Sequence, residues 1–139
     1  MKKIFADTSY WVALIDPKDK WHAKALKLSQ SFAGVLLITT DEVLSEVLTF
    51  FSGYGPYIRE SVAQIVFGIL TNKSYVEVVE QSRESFLSGL ALYEKRLDKG
   101  YSLTDCVSMQ LMRADGISET LTTDKHFTQE GLIILLGAE

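Results

Sequence analysis

IFADTSYWVALID, residues 4–16, is the stretch on which the reading of the fold turns. An apolar run ends in Asp7, two hydroxyl residues follow, and apolar residues resume at helical spacing. "KIFA" (3–6) has the composition of a buried strand, and "SYWVALI" (9–15) reads as a short helix stopped by "DPKD". A carboxylate therefore stands where a strand hands over to a helix.

The same alternation continues along the chain. "KWHAKALKLSQSFA" (20–33) puts Trp21, Ala25, Leu28 and Phe32 on one helical stripe, and Gly34 closes it. "VLLIT" (35–39) is a short β-type run, followed by a helix over 40–51 with Thr40 or Asp41 as its cap. Gly53 and Gly55 break that helix, and Pro56 opens the next, over 56–70. "YVEVVE" (75–80) reads as a strand, 82–98 and 102–115 as helices, and "ETLTT" (119–123) as a strand. "DKHFTQE" is a short helical turn, and "LIILL" (132–136) is a last strand. Strands that are apolar on both faces and alternate with helices predict an α/β fold. Its central β-sheet is mostly parallel and is flanked by helices in three layers. With 139 residues, no repeat and no long linker, the chain reads as one domain over 1–139.

Bulk properties narrow the function. Hydrophobic residues make up 47%, enough for a sizeable core. The longest apolar runs are far too short to span a bilayer, and Asp7 interrupts any apolar leader, so the expectation is a soluble cytoplasmic protein with no membrane partner. Cys106 is the only cysteine, which excludes an internal disulfide framework and a Cys-rich zinc site. A net charge of −4 argues against gripping nucleic acid by bulk charge. It leaves room for cutting nucleic acid at a small metal site, because a bound cation reverses the local field.

The placement of four acids is more informative. In parallel α/β sheets, ligands bind beyond the carboxyl ends of the strands. Asp7 and Asp124 each stand at such an end. Glu46 lies among Val43, Leu44, Val47, Leu48 and Phe50, and Asp105 among Leu103, Cys106, Val107 and Met109. Both are read as lying near the N-terminal part of a helix, where negative charge is favoured. Carboxylates in apolar surroundings need partners. Four that converge repel one another, and a hard divalent cation such as Mg²⁺ or Mn²⁺, which prefers oxygen ligands, resolves that conflict.

The segments "FADTSYWVALID", "TDEVLSEVL", "YSLTDCVSMQLM" and "TLTTDKHF" resemble, in order, the four acidic motifs of PIN-domain ribonucleases. The likeness runs from residue 4 to about 135 and is strongest to the small VapC-type toxins of bacterial toxin–antitoxin pairs. It implies a metal-dependent endoribonuclease of single-stranded RNA, with Asp7, Glu46, Asp105 and Asp124 as the metal-site acids. Thr8, Ser9, Thr104 and Thr123 would be nearby hydroxyls that orient water or phosphate. It also implies a homodimer, for which "VLTFFSGYGPYI" supplies apolar surface, and a small antitoxin that blocks the acidic pocket with a basic tail.

Each residue has an ordinary role as well. Asp7 and Asp124 can be plain helix caps, Glu46 a surface acid, and Asp105 a first-turn acid. His22 and His126 fit local structural roles, and Cys106 a small core residue. Tyr10, Trp11, Phe50, Phe51 and Tyr54 suit a core or dimer face better than base stacking. Lys18, Lys20, Lys24 and Lys27 form a basic cluster that reads as a solvated helix face able to guide an RNA backbone. The main alternative function is a non-catalytic PIN-fold protein that binds RNA or a partner. A haloacid-dehalogenase-like phosphatase needs a second Asp where Ser9 stands, and a receiver domain needs an acidic pair and a lysine that the order does not supply.

Overall fold

The computed structural model describes residues 1–137 and carries five strands in the order β3-β2-β1-β4-β5, every pair parallel. The strands are β1 (Lys2–Ala6), β2 (Val35–Thr40), β3 (Val76–Val79), β4 (Glu119–Leu121) and β5 (Ile133–Ile134). Seven helices connect and flank them: α1 (Thr8–Ile15), α2 (His22–Ser29), α3 (Asp41–Phe50), α4 (Pro56–Thr71), α5 (Arg83–Lys95), α6 (Leu103–Asp115) and α7 (His126–Gln129). The α/β expectation holds, and the sheet is wholly parallel among the described residues.

Strand order sets the layers. The chain steps outward from β1 to β2 to β3, then returns past β1 to β4 and β5. Right-handed crossovers put helices of the outward steps on one face and those of the return on the other. In agreement, α1 packs on α2 and α3, and α3 on α4, whereas α5 packs on α6. Gly89 permits the close α5–α6 approach: a Cβ there would lie 2.6 Å from Val107 Cγ2. The central strands are buried on both sides, with Phe5, Ala6, Ile38 and Thr39 fully enclosed. That is why β1 and β2 read as continuous apolar runs rather than alternating ones.

Element ends differ from the sequence reading in explicable ways. The helix expected over 20–33 runs only from His22 to Ser29, with Trp21 at its N-cap. Its stripe is correctly placed: Ala25 is fully buried, and Trp21, Leu28 and Phe32 pack against the core. The last strand is two residues rather than five, because β4 offers only three residues to pair with. The amides of Leu135 and Gly137 still bond the Thr120 and Thr122 carbonyls. Gly137 has no room for a side chain, since a Cβ would meet Thr123 Cα at 2.8 Å.

Behind the return strands sits an ionic knot. Glu130, whose side chain is 4% exposed, accepts from Arg96 Nε at 2.9 Å, Arg113 Nη2 at 3.1 Å and the Tyr101 hydroxyl at 2.9 Å. The Arg96 guanidinium beside it holds the carboxyl below its usual range. The donors come from the end of α5, the loop before α6 and α6 itself, so the knot fastens α5, α6 and α7 together.

Candidate active site

In doubly wound sheets the ligand crevice lies where strand order reverses, beyond the carboxyl ends. Here that point is the β1/β4 boundary. The register pairs Phe5 with Thr120 and Ala6 with Leu121, so the next residues, Asp7 and Thr122, leave the sheet side by side. The Asp7 amide bonds the Leu121 carbonyl at 3.1 Å, and the Thr122 hydroxyl donates to Asp7 Oδ2 at 2.8 Å.

All four acids line one cleft of about 340 Å³ at this edge. Thr8, Ser9, Val12, Asp19, Trp21, Phe50 and Thr123 complete its wall. Each carboxylate is held by a neighbour. The Thr8 hydroxyl donates to Glu46 Oε1 at 2.6 Å. Asp105 Oδ2 accepts the Ser102 amide at 3.1 Å, while Ser102 Oγ accepts the Asp105 amide at 3.0 Å, a reciprocal cap at the start of α6. Asp124 Oδ1 accepts the His126 amide at 2.9 Å. His126 Nδ1 lies 3.3 Å from Asp124 and 4.0 Å from Asp105, and the three could share one ion.

The competing local roles sort themselves by geometry. Asp7 occupies the N-cap position of α1, yet its side chain makes no capping bond; Thr122 holds it instead. Asp105 and Asp124 do make local bonds of the capping kind and face the cleft as well. Glu46 is the sixth of ten residues in α3, in mid-helix rather than near its N-terminus, so of these two acids only Asp105 has the dipole support expected for both. Among the hydroxyls, Ser9 accepts the Thr123 amide at 3.0 Å, and both line the cleft with Thr8. Thr104 is not among the lining side chains. His22 is structural, its Nδ1 2.7 Å from the Ala13 carbonyl. Cys106 is buried in the core, as are Tyr10, Trp11 and Phe51, whereas Phe50 is 47% exposed.

Thr122 was not singled out by the sequence reading. It is fully buried, and its hydroxyl also accepts the Asp124 amide at 3.0 Å, linking two acids through one side chain. The only signal for it was the paired hydroxyls of "LTTD", of which the second drew attention. Thr122→Val matches the side chain in outline but removes the hydroxyl that donates to Asp7 and accepts the Asp124 amide. The expected result is a loss of activity of roughly tenfold or more with near-normal folding, recovered in Thr122→Ser, read by initial rates alongside thermal melts.

Electrostatics single out Asp7. Burial pushes its carboxyl up to about 7 against the Thr122 bond, and Asp105 and Glu46 push the same way. Burial also raises Asp105, with Asp124 and Glu46 adding to it. A buried carboxylate facing charges of its own sign is stable as an anion only with a cation nearby. The donor set is oxygen-rich with one imidazole at its edge, which fits Mg²⁺ or Mn²⁺ better than a thiolate-loving metal.

Comparison with known proteins agrees with this geometry. Residues 4–130 match the PIN domain. Over 130 residues the chain is 29% identical to the 23S rRNA-specific endonuclease VapC20 of Mycobacterium tuberculosis, covering 94% of this chain and 95% of that one. The crystal structure of that VapC20, described as a sarcin–ricin-loop-cleaving toxin, superposes with a TM-score of 0.81 at 26% identity, over 94% of this chain and 96% of that one. VapBC2 from Rickettsia felis, solved with a promoter DNA fragment, shares the fold at a TM-score of 0.65 and 17% identity, over 96% and 97% of the two chains. A doubly wound sheet, four acids at its switch point and a family match spanning nearly the whole chain lead to one assignment: this chain belongs to the PIN-domain family.

Proposed function

We propose that this protein is a divalent-metal-dependent endoribonuclease of single-stranded RNA and the toxin of a toxin–antitoxin pair. The observation that carries the reading is the buried Asp7 carboxylate, faced by Asp105 and Glu46 in a cleft it shares with Asp124. Similarity to the VapC20 endonuclease supports the nuclease half of it.

Asp7, Glu46, Asp105 and Asp124 would hold Mg²⁺ or Mn²⁺. Such an ion, when bound, acidifies water and offsets the charge that grows on phosphoryl oxygens during hydrolysis. The protein's own groups do the aiming. Thr122 fixes Asp7, Thr8 fixes Glu46, the Ser102 cap fixes Asp105, and the His126 amide fixes Asp124. With its hydroxyl committed to Glu46, Thr8 orients a carboxylate rather than water. Ser9 and Thr123 remain the hydroxyls best placed for water or phosphate. Thr104 stands outside the residues that line the cleft.

A cognate antitoxin and a homodimer belong to the same reading. The dimer is supported by Leu48, Phe50, Tyr54 and Tyr57, all exposed along α3, the turn and the start of α4. No helix among the described residues is long and apolar enough to cross a membrane.

The test is direct. Purified protein is expected to cleave single-stranded RNA with millimolar Mg²⁺ or Mn²⁺, to stop on adding EDTA, and to resume when the ion is returned in excess. Absence of cleavage with both ions, in protein shown to be folded, would leave the non-catalytic alternative standing.

A further inference from the structure

The cleft presents a problem of grip. Besides the four acids its wall includes Asp19, and the whole chain carries a net charge of −4. A polyanionic strand must therefore be held by something local. Single strands offer two handles, exposed base faces and phosphates, and proteins take them with aromatic rings and nearby cations.

Trp21 combines both in one place. It sits in the connection between α1 and α2, at the N-cap of α2, and its ring lines the same cleft as the four acids. Asp19 Oδ1 accepts the Trp21 amide at 2.8 Å, which fixes the backbone that carries the ring. Lys20 and Lys24 bring their ammoniums to 5.0 and 5.6 Å from the ring centroid. The contrast with Trp11 is instructive: that ring is 6% exposed, and its Nε1 donates to Thr39 inside the core.

We propose that Trp21 is the stacking platform for one unpaired nucleobase of a bound single strand, with Lys20 and Lys24 taking the flanking phosphates. The proposal rests on the nuclease reading of the cleft and adds the subsite that reads single-strandedness. Lysine stems are flexible, so the ammoniums can leave the ring for phosphate as the base slides in. In a duplex each base face is already covered, and the platform has nothing to take.

The experiment separates this from the chemistry. Asp7→Asn protein is titrated in Mg²⁺ with an end-labelled single-stranded RNA decamer, a matching single-stranded DNA and the corresponding duplexes. Label anisotropy gives binding, the part of the tryptophan fluorescence that Trp21→Phe removes reports the ring, and a gel reports any cleavage. Both single strands are expected to quench Trp21, and the duplexes to leave it unchanged. Adding Trp21→Ala weakens single-strand binding roughly tenfold, whereas Trp21→Phe, which keeps a ring, stays close to the parent. Replacing Lys20 and Lys24 together with Ala flattens the log–log salt dependence by about 1.4, from about 0.7 per phosphate contact on a single strand. In otherwise wild-type protein, Trp21→Ala raises KM and spares kcat. Single-strand binding that leaves the fluorescence unchanged, or Trp21→Ala that binds as tightly as the parent, overturns the proposal. So does equal quenching by duplex. Cleavage by Asp7→Asn protein would instead count against the four-acid reading, and is seen separately on the gel.

Discussion

Asp7→Asn is expected to abolish RNA cleavage, by about a thousandfold or more, and yet to raise the melting temperature of the ion-free protein at pH 8. The two effects share a cause. Asp7 is 6% exposed, accepts one hydrogen bond from Thr122, and faces Asp105 and Glu46. As an anion it costs stability without a counter-ion, on the order of a few kcal/mol for a shift of this size. The amide keeps the shape, retains an oxygen for Thr122 and turns two hydrogens toward neighbouring carboxylates. The stability gained measures what the buried carboxylate costs the ion-free fold. Loss of cleavage accompanied by a lower melting temperature would mean that Asp7 serves the fold rather than the chemistry.

The second large effect is a linkage between pH, divalent ion and stability. The folded protein keeps the Asp7 proton up to about pH 7, whereas a free aspartate gives it up near its ordinary 3.8. Between those values the native state binds more protons than the unfolded one, so stability falls as pH rises through that window. Asp105 is shifted in the same direction and adds to the slope. Without divalent ion, the melting temperature is therefore expected to drop by several degrees from pH 5 to pH 8. Millimolar Mg²⁺ or Mn²⁺ at pH 8 should recover it, because an ion that binds only the native state stabilises it by mass action. Asp7→Asn should flatten both responses. Melting curves of wild type that ignore pH and ion alike would argue against a cation site at these acids.

Much of this was legible in the chain. The strand-to-helix handover at Asp7 and the apolar runs of β1 and β2 are local patterns, and local patterns are what a sequence displays. The convergence of Asp7 with Asp124 followed from one rule about strand ends. What escaped depends on register and tertiary context. Thr122 matters because it leaves the sheet opposite Asp7, which the β1/β4 pairing decides. Trp21 satisfies the helical stripe it was assigned to and still borders the cleft, because a partly buried ring has two sides. The length of β5 was overstated because its partner strand is shorter than its own apolar run. The Thr40 cap was among those expected, and its hydroxyl accepts the Val43 amide at 3.0 Å; counted from that cap, Glu46 lies in mid-helix, a turn beyond the reach of the N-terminal dipole.

The return crossover from β3 to β4 has a consequence in time. Asp7 and Glu46 belong to the outward half of the winding, while Asp105 and Asp124 arrive only with α6 and the segment after β4. A nascent chain emerging from the ribosome thus holds two acids without their complement until most of its length has been made. The constellation closes only when the last third docks, so an incomplete copy carries half of the acids that line the cleft and lacks the other half.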